Sequence, residues 1–293
     1  MNTSHKPYPI LPAPRVRRNP ATNKEASRSQ QRRNEDVAIN RNSRGVASEN
    51  SGRMKAFLRC KETTSIVTYN VNTLLDEDKR WELQHCRHWQ YIGILGVQEH
   101  HIIHSDHIDY TKFDTSTLVT SFGWRNKSQA AQDGVGLLLD RKARKSLLKV
   151  VPSNYKSGRI LVAAFDGNPR TTVILIYPPT NCAEESVIEE FYTELRNVLQ
   201  DVLAHNFLAV MGDFNGRLGP AQTNRSGNYL AEILVEFRLL AANAQFKKRP
   251  GKLFTFKCRA SSTLRHFDYI LVRQKWRNSV HNAEAYNSFG SVV

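Results

Sequence analysis

The 293-residue chain is 40% hydrophobic and 24% charged, enough apolar material for one large domain or two small ones. Lys and Arg number 42 against 27 acids, and the formal net charge of +15 favours an anionic partner such as nucleic acid or an acidic lipid surface. Four widely spaced cysteines (Cys60, Cys86, Cys182, Cys258) without a Cys-x-x-Cys pair exclude a disulfide scaffold and a four-cysteine zinc module.

No apolar run approaches the ~20 residues of a membrane span. The N-terminus interleaves Pro and Arg where a signal peptide needs an apolar stretch. The expected protein is intracellular, with no membrane and no obligate protein partner. Residues 1 to 60 hold 13 Lys/Arg and 4 Asp/Glu, a net of +9, while the other 233 hold 29 and 23, a net of +6. The first segment has few aliphatics, so residues 1–63 read as a disordered basic arm. Its runs Arg15-Val16-Arg17-Arg18 and Arg32-Arg33 suit nuclear import or phosphate binding as well as a solvated tail.

From residue 64 the pattern changes to short apolar runs between helical stretches, one domain over 64–293. Ser65–Val71 reads as a strand, Glu77–Gln90 as a helix and Ile92–Val97 as a buried strand. Further strands are expected at Val135–Leu139, Ile160–Phe165, Thr172–Tyr177, Phe207–Met211, Phe254–Lys257 and Phe267–Val272. Val187, Ile188, Phe191, Leu195, Val198, Leu199 and Val202 recur at helical spacing, as do Leu230, Ile233, Leu234, Phe237 and Leu240. The class is α/β or α+β.

Several strands run into a polar residue that a strand does not require. Asn70 follows Ile66–Tyr69, Glu99 follows Ile94–Gln98, Tyr177 follows Val173–Ile176, and Asp213 with Asn215 follows Leu208–Gly212. Strand ends can gather such groups at one rim of a sheet, where α/β proteins build sites. Alone, Gly-Asp-Phe-Asn-Gly is also an Asx-rich turn. The ordered conjunction is the signal.

Thr68–Val71, Gln98-Glu99, Tyr177-Pro178-Pro179-Thr180, Gly212–Asn215 and Phe267–Ile270 resemble the endonuclease/exonuclease/phosphatase superfamily, which has the DNase I-like fold. Within it they look most like the apurinic-type endonuclease domain of non-LTR retrotransposons, and Asp133–Leu139 and Gly158–Ile160 match similar segments. The resemblance implies a four-layer sandwich, two mixed β-sheets face to face flanked by helices. It implies DNA as substrate, Mg²⁺ (or Mn²⁺) as cofactor, and a reverse transcriptase encoded downstream as partner.

The chemistry of the residues agrees. Glu99 is a hard-oxygen ligand for Mg²⁺, and Asn70 can orient the metal or the phosphate without adding charge. Asp213 can accept a proton from the attacking water, Asn215 can hold a phosphate oxygen, and Tyr177 offers a phenolic donor. In the superfamily, the Asp matching Asp268 orients a catalytic histidine of a closing Ser-Asp-His tripeptide. Here the sequence runs out at Phe289–Val293, so the expectation is a domain lacking its last strand and weak or absent nicking. Ser105-Asp106-His107 spells the tripeptide in the wrong context. His100, His101, His104 and His107 read as a histidine-rich loop. Arg125, Lys127 and the cluster Lys247-Lys248-Arg249 with Lys252 are weaker phosphate-binding candidates. Two other readings stand beside nicking: a phosphomonoesterase or lipid phosphatase of the same fold, and a catalytically dead nucleic-acid-binding remnant.

Overall fold

The computed structural model describes residues 10–12, 56–58, 62–104, 106, 108–121, 124–125, 131–152, 158–219, 223–257 and 264–286. Most of the basic arm, Ser105, His107, Lys127 and Phe289–Val293 lie outside them.

Two βαβ units organise the chain. The first is β1 (Ser65–Asn70), α1 (Glu77–Trp89) and β2 (Ile92–Gln98). Then come β3 (Ile108–Lys112), β4 (Ser116–Ser121), β5 (Val135–Asp140), α2 (Arg141–Ser146), β6 (Leu147–Pro152) and β7 (Ile160–Phe165). The second unit is β8 (Thr171–Ile176), α3 (Glu185–Gln200) and β9 (Phe207–Asp213). It is followed by α4 (Arg225–Glu236), β10 (Leu239–Ala241) and β11 (Asp268–Arg273).

One sheet has the order β1-β2-β5-β4-β3, with the short strand Ile10–Pro12 paired outside β1. That pairing departs locally from the disorder expected of the arm. The other sheet has the order β10-β11-β9-β8-β7-β6. In each, the βαβ unit makes the parallel pair, β1 with β2 and β8 with β9, and the other pairs among these strands are antiparallel. Both sheets are therefore mixed, as expected.

Side chains alternate between sheet faces with period two. Ile66, Ile94, Val173, Leu175, Ala209, Met211, Ile270 and Val272 point inward and form the layer between the sheets. Their neighbours Val67, Leu95 and Val97 point outward with Leu83 of α1. Ile174, Ile176, Leu208 and Val210 pack under α3 and α4 through Ile188, Phe191, Leu195, Leu230 and Ile233. This is the expected sandwich of helix, sheet, sheet and helix. Gly96 faces Leu175 and Met211, whose side-chain ends lie 2.7 Å from where a Cβ would stand, so the second sheet packs into the space it leaves.

The differences from the sequence reading have local causes. Every residue of β4 is buried, yet only Leu118 and Val119 are aliphatic, so the run carries little apolar signal. β3, β6, β10 and α2 also went unread. The helical stripe ending in Leu240 stops earlier: Arg238 has φ 50, α4 ends at Glu236, and Leu240 lies on β10. Phe254 lies outside the strand Phe256–Lys257. Phe57 and Leu58, ahead of the boundary expected at residue 64, are buried in the inter-sheet core, where Phe57 meets Phe165 at 5.2 Å.

Gly212, one residue before the end of β9, has φ 153, and a Cβ there would lie 1.9 Å from the Ile176 carbonyl oxygen. Backbone cannot yield as a side chain can. Gly212→Ala is expected to cost about 2–3 kcal/mol, measured as a lowered urea midpoint with unchanged slope.

Candidate active site

The period that fills the inter-sheet core also directs its polar end. On β1 the inward set Ile66, Thr68 continues to Asn70, and on β9 Ala209, Met211 continues to Asp213. Tyr177 extends the inward set of β8, and Asp268 precedes Ile270 on the same face of β11. Parallel pairing puts the C-terminal ends of β1 and β2, and of β8 and β9, at one rim of their sheets. Asp268 joins that rim because antiparallel β11 starts opposite the end of β9, pairing Asp268 with Asp213.

Four of the expected residues share one hydrogen-bonded cluster. Asn70 Nδ2 donates to Glu99 Oε1 at 2.8 Å and to Asp213 Oδ2 at 3.4 Å. Tyr177 donates its hydroxyl to the same Glu99 Oε1. Asn70 is itself held, because its Oδ1 accepts from the Asn72 amide at 3.1 Å. Glu99 has φ 56, a left-handed conformation that costs a non-glycine residue on the order of 1 kcal/mol or more.

Asn215 also has φ 49, and its amide donates to Asp213 Oδ1 at 2.9 Å. Its Nδ2 donates to the Pro178 carbonyl at 3.0 Å. Two carboxamides clamp its own carbonyl, Asn181 at 2.7 Å and Asn224 at 2.9 Å. Asn224 also caps α4 by accepting from the Gly227 amide at 3.0 Å. Sequence reasoning does not single out Asn181 or Asn224, since a loop carboxamide has no periodicity to mark it. Asp133 and Arg159 lie in segments that carried the resemblance without a role.

Asp268 is buried, and neither carboxylate oxygen has a hydrogen-bond partner among the described residues. The histidine nearest in sequence does not serve it. His266 stacks on Tyr269 at 4.5 Å, and its Nε2 lies 2.8 Å from the Asp268 main-chain carbonyl. The histidine-rich loop divides its members. His100 is fully buried, accepts from the Ile102 amide through Nδ1 at 2.9 Å, and is pushed down to about 3 by burial. His104 sits between the Asp106 and Ser121 carbonyls, and His101 lies 4.0 Å from Glu99 Oε2. Of the basic cluster, Lys248 and Lys252 face Glu284 at 3.3 and 2.7 Å, so part of its charge is already met.

Burial, first of all, pushes Asp213 up to about 6; bonds from the Asn215 amide and Asn70 oppose it, and the charge of Glu99 reinforces it. Burial and then the Asp213 charge hold Asp268 well above the carboxylate range. Burial, then Glu99 and Asp213, raise Tyr177, so the phenol keeps its proton.

Because the folded pKa of Asp268 is raised, its ionisation costs stability; that cost is absent below the unfolded value near 4 and grows as pH rises. Asp268→Asn is therefore expected to raise the Tm at pH 8 by at least about 2 °C. The gap should close toward pH 4 in a series of thermal melts.

No family model matches the sequence. Craniofacial development protein 2 of Bos taurus is 28% identical over 248 residues, covering 77% of this chain and 38% of that protein. Craniofacial development protein 2 of Tragulus javanicus is 27% identical and covers 77% of this chain and 40% of that protein. The chain thus spans about two fifths of the length of these curated relatives. Among solved structures, the 3′ phosphatase NExo from Neisseria, bound to a product DNA hairpin, superposes with a TM-score of 0.56 at 18% identity. The match covers 72% of this chain and 87% of that one. The endonuclease domain of TRAS1, a telomere-specific non-LTR retrotransposon, gives a TM-score of 0.46 at 13% identity over 72% of this chain and 84% of that one. With its two face-to-face mixed sheets and helices outside them, the chain shares the fold of the 3′ phosphatase NExo.

Proposed function

We propose that this rim hydrolyses phosphate esters of DNA with a divalent metal, and that the chain is a nicking endonuclease of the retrotransposon type. One observation carries the reading: Asn70, Glu99, Tyr177 and Asp213, from four strand ends, meet in one hydrogen-bonded cluster. The retrotransposon flavour rests on the ordered motifs from Thr68–Val71 to Phe267–Ile270.

The donor set fits Mg²⁺ or Mn²⁺. Asn70 and Tyr177 both donate to Glu99 Oε1, which leaves Oε2 for a cation. Asn70 Oδ1 would be the neutral second donor. Among the described residues no three His, Cys, Asp or Glu side chains form a cage. A hard ion such as Mg²⁺ is commonly held through one or two carboxylates and several waters, and Glu99 with Asn70 would be the protein's share of such a shell. A bound cation would offset charge on the phosphate oxygens.

The chain's own groups divide the remaining work. Asp213, with a pKa near 6, is placed to take a proton from the attacking water. Tyr177, kept protonated and donating to Glu99, would turn its hydroxyl to a phosphate oxygen when substrate binds. Asn215, held by its carbonyl clamp and by the bond from Nδ2 to the Pro178 carbonyl, would offer its second amide hydrogen to the same oxygens. Asp268 assists Asp213 from across the strand pair, since like charges so close favour retention of a proton on one of them.

A second reading, a nucleic-acid-binding protein without turnover, draws on Asp268. No imidazole meets its carboxylate among the described residues. If no imidazole reaches Asp268, nicking would be slower by about 10² to 10⁴, the usual worth of a general acid–base group.

Supercoiled plasmid with Mg²⁺ separates the two. Slow conversion to nicked circles is expected, stopped by EDTA and reduced at least ~100-fold by Glu99→Gln or Asp213→Asn. If the parent and Glu99→Gln both stay at background while binding the plasmid, the binding reading replaces hydrolysis. Lys247→Glu with Arg249→Glu is expected to weaken plasmid binding and flatten its salt dependence by about one unit per lost phosphate contact. An unchanged slope would remove this cluster from the interface.

A further inference from the structure

Glu99 and Tyr177 come from different sheets, so their contact depends on what holds the sheets in register at the rim. Arg159, one residue ahead of β7, stands at that junction. Its Nη1 donates to the Tyr177 carbonyl at 3.1 Å, and its guanidinium carbon lies 5.2 Å from the centre of the Tyr177 ring. The Tyr177 amide donates back to the Arg159 carbonyl at 2.9 Å. On its other side, Arg159 Nη2 lies 2.8 Å from Asp133 Oδ1.

Asp133 belongs to the first sheet's side of the rim. Its carbonyl accepts from the His101 amide at 3.1 Å, and the Gly134 carbonyl accepts from the His100 amide at 3.4 Å. The turn before β5 therefore carries the segment just after Glu99. A further cross-sheet link lies alongside: Ser121 Oγ donates to the Gly158 carbonyl at 2.9 Å and accepts from the Val135 amide at 3.0 Å. Arg159 thus connects the backbone that sets Glu99 with the residue that bonds to Glu99.

We propose that Arg159 is a positioning residue, whose guanidinium fixes Tyr177 against Glu99 and so sets the geometry of the metal-holding carboxylate. The proposal rests on the metal-dependent reading above. Three directions of contact, to a carboxylate, a carbonyl and a ring face, require the planar fork of arginine. The side chains of Arg159 and Asp133 are only 18% and 8% exposed, so little water competes for the pair. A lysine could keep the Asp133 contact, but its single ammonium could not also hold the Tyr177 carbonyl and ring.

The test is calorimetric titration of the full chain with Mn²⁺, which needs no turnover. Arg159→Met is expected to weaken Mn²⁺ binding about tenfold, and Arg159→Lys to recover part of that loss. In a Tyr177→Phe background, Arg159→Met should change affinity less than twofold, because the arginine acts through the phenol. A generally structural role predicts losses that multiply instead. Parental Mn²⁺ affinity in Arg159→Met, or multiplying losses in the double variant, would overturn the proposal. If Arg159→Met does not fold, Asp133→Asn removes the ion pair at nearly constant volume and takes its place under the same criteria. A parent chain that binds no Mn²⁺ would defeat the metal reading itself, an outcome separate from a variant that binds as the parent does.

Discussion

An apolar layer sealed between two sheets has no room for unpaired polar atoms, so polar side chains of the same parity survive only where the layer ends. That constraint shapes this molecule. Asn70, Tyr177, Asp213 and Asp268 each continue an inward-pointing series that begins with Ile, Val, Leu, Ala or Met. The two parallel pairs bring their strand ends to the rim, and antiparallel β11 adds its first residue from the opposite direction. The rim is the core's own pattern carried to the edge of the apolar layer.

The rim concentrates like charge. Asp213 is held above the ordinary carboxylate range by burial and the charge of Glu99, and Asp268 by burial and the charge of Asp213. Glu99 occupies left-handed backbone that its residue type disfavours, whereas Asn215, also left-handed, is a type that tolerates it. These are unfavourable terms that a stability-optimised rim would lack, and their concentration in one place supports the proposed function. Rigid surroundings keep them in place. Gly212 lets two backbones approach where a Cβ could not stand, and two carboxamides grip the Asn215 carbonyl.

Much of this was legible in the sequence. Strands with strong aliphatic alternation, helix α1, the α3 and α4 stripes and the strand-end residues Asn70, Glu99, Tyr177, Asp213 and Asn215 read from residue order, while Asp268 came from the family resemblance. Strand β4 did not, because buried Ser116, Thr117, Thr120 and Ser121 look like a polar loop until the fold closes over them and brings the Thr120 hydroxyl to His104 and the Ser121 hydroxyl to the Gly158 carbonyl. Arg159 and Asp133 carried a resemblance without a role, since a salt bridge between residues 26 positions apart has no sequence spacing to betray it. Phe57 and Leu58 sit beside a basic, polar stretch whose composition masked two core residues.

The sequence by itself determined the period of each strand, and with it which polar residue would share a face with the core. Local sterics and hydrophobicity act within a few residues, so they are written in local order. Tertiary structure decided the rest. Only the packing of sheet on sheet brings Asn70 to Asp213 across 143 positions, sets Tyr177 on Glu99, and leaves the Asp268 carboxylate buried without a partner among the described residues. Those contacts depend on strand order and register, which are settled by burial of the whole apolar layer at once.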